Sequence, residues 1–122
     1  MAFKLGKENR AFKHSGNVKI VKTPLDSGTV AEANMDGSIN VDPSVNLNSR
    51  FGRRVIKHEQ KHLEQIEEGR AAYNDSTVMW NGKLYLRKTI NGVDVIDGPN
   101  GRWPEGHKNH PWEAEAIQAE KE

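Results

Sequence analysis

Three residues of this chain stand at a spacing that can do chemistry: His58, Glu59 and His62, within Val55-Ile56-Lys57-His58-Glu59-Gln60-Lys61-His62-Leu63. Side chains four apart on a helix lie one turn above each other on the same face. Two imidazoles so placed can close on one metal ion, while the intervening Glu59 reaches a water beside it. This is the HExxH arrangement of a zinc hydrolase. Composition alone would generate about 0.02 such matches in a chain of 122 residues.

A catalytic zinc site needs a third protein ligand and one position left for water. The chain has no cysteine, so His and carboxylate must supply it. A third His six residues beyond His62, with Gly between, would require His at position 68 and Gly at position 65. Those positions hold Glu68 and Gln65. Trp112-Glu113-Ala114-Glu115-Ala116 offers a carboxylate from a second helix. There Glu113 is the preferred ligand, because Ala116 one turn on lets two helices lie close. Glu115 is the reserve. His107 and His110 are further alternatives, on the Gly/Pro-rich loop just before.

His58-Glu59-x-x-His62 together with Glu113-x-x-Ala116 resembles the gluzincin branch of the zinc metallopeptidases. The order strand, hairpin, HExxH helix, short Glu helix is also similar to the smallest members of that group, including short stand-alone proteins of tailed phages. The resemblance covers roughly Val30 to Glu120. It implies Zn2+ held by His58, His62 and Glu113, with Glu59 as general base of peptide hydrolysis. The family often places an Asp four residues after the ligand Glu to orient a ligating His. Here that position is Ile117, so such support has to come from elsewhere. Tyr73 and Tyr85, with His107 and His110, are candidates for stabilising an oxyanion. A substrate strand could pair with Val30–Asn34 or Ser38–Val41 through main-chain hydrogen bonds.

The elements that must position these residues read as follows. Asn46 to Gly69 is predicted helical, capped by Ser49 or Asn48 and stopped at Gly69. Phe51, Val55, His58, His62 and Ile66 share one face. Gly52 weakens the first turn and leaves room for another segment to pass close. Val18–Lys22 has the β-branched content of a strand. Asp36-Gly37 marks a hairpin between 29–35 and 38–41. Asn81-Gly82 and Asn91-Gly92 mark two more turns, giving a meander of three or four strands. Residues 71–75 read as a connector and 97–111 as loop, broken by Gly98, Pro99, Gly101, Pro104 and Gly106. A short helix opens after Pro111. Trp80, Trp103 and Trp112 read as packing residues.

The fold class expected is α+β: small antiparallel β-hairpins packed on a central HExxH helix and a short C-terminal helix, zincin-like. Residues 1–17 form a basic N-terminal arm and 18–122 a single domain. A formal net charge of +1, with Lys and Arg spread along the chain, gives no reason to expect nucleic acid or membrane partners. No apolar run has the length of a signal peptide or membrane span. The location expected is the host cytoplasm, or a virion. The partners expected are a peptide or protein substrate for an enzyme, or other phage structural proteins for a non-catalytic zincin-fold component. A third reading is an immunity or inhibitor protein with a fortuitous HExxH.

Overall fold

Tight turns set most of the architecture, because Asn-Gly and Asp-Gly pairs accept the positive φ that such turns require. Asn81 and Gly82 lie at φ 48° and 80°, and Asn91 and Gly92 at 51° and 78°. In a computed structural model of the chain, residues 2–5, 18–26, 28–99 and 101–122 are described. They form an α+β fold of two sheets and two helices.

The first sheet has four strands in the order β1-β3-β4-β2: β1 (Ala2–Leu5), β2 (Lys19–Lys22), β3 (Thr29–Ala33) and β4 (Ser38–Val41). The Asp36-Gly37 turn makes β3 and β4 antiparallel, as expected. The other two pairings are parallel: β1 along β3, and β2 along β4. The sheet is therefore mixed, not a set of hairpins. The start of the expected N-terminal arm, at least through Leu5, is a sheet strand with Leu5 buried. The rest of that arm, 6–17, lies outside the described residues. With β1 and β2 on the outside, β3 and β4 are paired along both edges. Neither can accept a substrate strand by main-chain pairing, which corrects the expectation for Val30–Asn34 and Ser38–Val41.

The second sheet is a meander of β5 (Ala71–Tyr73), β6 (Thr77–Trp80), β7 (Lys83–Ile90), β8 (Val93–Gly98) and β9 (Gly101–Pro104). Two of these strands were not expected. β5 lies in the stretch read as a connector, and β9 in the stretch read as loop. Both are short edge strands, and at the edge the Gly101 and Pro104 of β9 are tolerated because one side of the backbone needs no ladder partner. Gly98 is required for a different reason: a Cβ there would stand 2.0 Å from the ring of Tyr85. Arg87 of β7 joins the sheets. Its guanidinium donates to Leu5 O at 3.0 Å and to Glu105 at 2.8 Å, with both charged side chains 3% exposed.

Helix α1 (Arg50–Glu67) opens on Ser49, whose Oγ accepts from Gly52 N at 2.9 Å. It ends where Gly69, at φ 77°, lets its own N–H and that of Arg70 return to Ile66 O and Gln65 O. Helix α2 (Pro111–Ala119) has Pro at its first position, where no N–H is needed, and packs along α1. Its buried residues include Trp112, Glu113 and Ala116, the last fully buried where the small side chain permits close approach. The core gathers Val55, Leu63 and Ile66 of α1 with Ile39, Val41, Val78, Trp80, Tyr85, Ile96 and Trp112. Among the described residues, no helix is long and apolar enough to cross a membrane.

Gly52 explains how α1 meets the segment before it. A Cβ there would lie 2.1 Å from Asn46 O and 2.8 Å from Leu47 Cα, both backbone atoms. Ala in a helix is ordinarily about 1 kcal/mol better than Gly. Overpacking that no side-chain rotation relieves costs about 1–3 kcal/mol or more. Gly52→Ala is therefore expected to lower the urea midpoint, against the propensity trend, and a raised midpoint would contradict the close approach.

Candidate metal centre

His58, Glu59 and His62 all lie on the inward face of α1, at 0%, 0% and 1% exposure, and Glu113 of α2 meets them at 0%. Donor atoms of His58, His62 and Glu113 lie within 4.8 Å of one another. His58 Nε2 stands 2.9 Å and His62 Nε2 3.1 Å from the same oxygen, Glu113 Oε1. The imidazole centroids are 5.0 Å apart and nearly perpendicular. Two rings one turn apart thus aim one nitrogen each at a single point, where a carboxylate from the end of the chain also arrives.

The opposite ring nitrogens are held too. His58 Nδ1 lies 2.7 Å from Glu120 Oε2, and His62 Nδ1 lies 2.9 Å from Gln65 Oε1. The amide orientation of Gln65 is fixed by its Nε2, which donates to Trp112 O at 3.1 Å and Glu115 Oε1 at 3.3 Å. Both partners of Nδ1 are acceptors, so in each neutral imidazole the proton sits on Nδ1 and the Nε2 lone pair faces Glu113. Metal-binding histidines need this tautomer and this kind of support.

Glu120 thus takes the part for which position 117 was unsuited. It lies seven residues after Glu113, so both carboxylates project from one side of α2 and bracket His58. Gln65 lies three residues after His62 on the same face of α1. Sequence reasoning missed both residues. The Gln65 spacing was readable, but Glu120 becomes visible only once the two helices are laid side by side.

The charges of the cluster are strongly coupled. Burial alone would lower His62, but Glu113 and Glu59 outweigh it and raise its pKa to about 9. His58 is likewise raised, its burial opposed by the hydrogen bond and charge of Glu113 and by Glu59. Glu113 would be raised by burial, yet the two histidines bring it down to about 2. Glu59 differs. Burial dominates over the two histidines and pushes it up to about 7. Both Glu59 oxygens and Glu113 Oε2 are buried with no hydrogen-bond partner. A buried carboxylate oxygen left unpaired is costly, so these three oxygens mark a place for a cation or water.

The other candidates are placed elsewhere. Glu115 pairs with Arg70 at 2.8 Å and with Gln65, so it is no metal ligand. His110 stacks on Trp112 at 4.8 Å, and its Nε2 is 3.1 Å from Pro104 O. His107 stacks on Trp103 at 6.3 Å, with its Nδ1 accepting from Asn109 N. Neither belongs to the group of converging donor atoms. Tyr85 packs edge-on to Trp112 at 4.9 Å. Tyr73 is closer to the chemistry: burial and then the charge of Glu59 raise its pKa. Its hydroxyl, however, donates to Ala33 O at 2.6 Å.

The chain was compared with protein-family models, curated proteins and solved structures. Nothing matches. What the centre can do therefore rests on its own geometry. Two imidazole nitrogens and one carboxylate oxygen, buried and converging, are a donor set that suits Zn2+, which would take one further ligand in tetrahedral coordination. His58 and His62 would hold it through Nε2, and Glu113 through a carboxylate oxygen.

Two predictions test this. Zinc must displace the protons that raised pKa values leave on His62 and His58. Affinity is therefore expected to rise as pH increases from 6.5 toward 9. Calorimetry at pH 7 in buffers of different ionisation enthalpy should show protons released on binding, and proton-neutral binding would contradict the assignment. Separately, Glu120→Gln and Gln65→Ala should each weaken zinc affinity by about 10–100-fold, measured by competition with a fluorescent chelator. Glu115→Gln should leave it unchanged.

Proposed function

We propose that the chain is a zinc-dependent hydrolase acting on peptide bonds, in the manner of a gluzincin-like metallopeptidase. The observation that carries this reading is Glu59: a fully buried carboxylate beside the converging ligands, with both oxygens unpartnered. A zinc site that only stapled the fold is ordinarily closed by four protein ligands, whereas His58, His62 and Glu113 supply three and Glu59 stands beside them with its proton-accepting oxygens unused. Its pKa, raised to about 7 by burial, suits a group that takes and returns a proton near neutrality. When bound, zinc would supply Lewis acidity toward the peptide carbonyl. Glu59 would accept the proton from the attacking water and deliver it to the leaving amine. Tyr73 would assist an oxyanion only after releasing Ala33 O, which makes it a conditional helper.

One observation favours a second reading, a non-catalytic zinc-stapled fold serving as a component of a phage particle. The donor residues and Glu59 are no more than 1% exposed, so a peptide must displace part of the protein to reach them. The two readings separate on Glu59→Gln. For an enzyme this variant keeps stoichiometric zinc and loses about a hundred- to ten-thousand-fold in peptide hydrolysis. If wild type, fully loaded with zinc, cleaves nothing in a broad peptide library, the non-catalytic reading stands.

A further inference from the structure

The even spread of Lys and Arg along the chain conceals a cluster that the fold assembles. Arg50, Arg53, Arg54 and Lys57 follow one another at steps of three, one and three along the first two turns of α1, all exposed. These steps put them on one side of the helix. Lys121, just past the end of α2, faces the same groove, which has a volume of about 590 Å³. Two cations in this groove are spoken for: Arg54 pairs with Glu120 at 3.2 Å, and Lys57 donates to Glu122 O. Among the described residues, Arg50, Arg53 and Lys121 have no carboxylate partner. The first turn of α1 carries no acidic residue. Cations at that end oppose the helix dipole, so this arrangement is a local cost to the fold rather than a source of its stability.

We infer that the groove between the start of α1 and the end of α2 binds the phosphate backbone of a nucleic acid. Its walls decide the chemistry of the occupant. Ile117 is the sole apolar side chain lining it. A protein partner is ordinarily anchored by a desolvated apolar or aromatic centre, which this groove lacks. A membrane-binding surface of this charge would carry several aromatic or aliphatic side chains to enter the interface, and here Ile117 stands alone and half-buried. Five cations against the side chains of Glu120 and Glu122 leave the walls with an excess of positive charge, which suits a polyanion bound through counterion release. Guanidinium forks match phosphate oxygens in pairs, and two of the three uncompensated cations are arginines. No aromatic side chain is present to stack on bases, so recognition is of backbone and not of sequence. None of His58, His62 and Glu113 lines the groove, and the three cations invoked, Arg50, Arg53 and Lys121, are distinct from Arg54, which pairs with the Glu120 that supports His58.

The test is fluorescence anisotropy of the full chain with labelled 20-nucleotide single-stranded and duplex DNA, with poly-glutamate as the competing polyanion. Three phosphate contacts predict saturable binding at 50 mM salt. They also predict a slope of log affinity against log salt of about −2 for the single strand and about −2.7 for the duplex. The combined variant Arg50→Ala, Arg53→Ala, Lys121→Ala should lose at least tenfold in affinity while melting no earlier than the wild type. Should that variant melt early, Arg50→Gln with Lys121→Gln, which leaves the Arg53 to Asn48 O bond intact, should flatten the slope by about 1.4 for the single strand and about 1.8 for the duplex. No saturable binding, salt-independent binding, wild-type affinity in the variants, or poly-glutamate bound as tightly as DNA would each overturn the inference.

Discussion

Two imidazole nitrogens and one carboxylate oxygen meet fully buried in the interior, and the rest of the fold answers to that constraint. Bringing His58, His62, Glu113 and Glu59 out of water together carries a large desolvation penalty. The attraction of the histidines for Glu113 offsets part of it, and the outer contacts with Glu120 and Gln65 satisfy the remaining nitrogens. The three carboxylate oxygens without partners are what the protein alone leaves undone. A divalent cation is the simplest species that would complete them, because it neutralises the paired carboxylates and uses the lone pairs that the Nδ1 contacts have already oriented.

The helix pair exists in a form that makes this meeting possible. α1 carries His58 and His62 on a buried face next to its exposed arginines, with Glu120 reaching both His58 and Arg54, and Gly52 lets the preceding chain cross its first turn at contact distance. α2 is short, begins at a Pro and presents Ala116 between Glu113 and Glu120, so its backbone comes close enough for both carboxylates to reach His58. Gln65 ties the helices at a second point through Trp112 O. The sheets serve as backing: Trp80 and Tyr85 pack on Trp112, which holds the first turn of α2 and therefore Glu113.

Features encoded locally were legible in the sequence. His58-Glu59-x-x-His62, the Ser49 cap, the Gly69 stop and the three Gly-containing turns each need only a few neighbouring residues, and each is found where expected. Glu113 was legible because a small residue one turn on signalled a close helix. Features that depend on distant pairing were not. The parallel alignment of β1 with β3 and β2 with β4 leaves no turn signature, β5 is only three residues long, and β9 is an edge strand whose Gly and Pro content argued against it. Nothing in its immediate sequence neighbourhood distinguishes Glu120 from the other glutamates at the end of the chain. Its role appears only when His58, 62 residues earlier in the chain, is placed beside it.

The most direct test of the centre is X-ray absorption at the zinc edge on protein loaded with one equivalent of Zn2+. Ligation by His58, His62 and Glu113 predicts two imidazole nitrogens and at least one oxygen at about 2.0–2.1 Å, with one imidazole lost in His62→Ala. Zinc that stays fully hydrated, or a shell unchanged in His62→Ala, would contradict it.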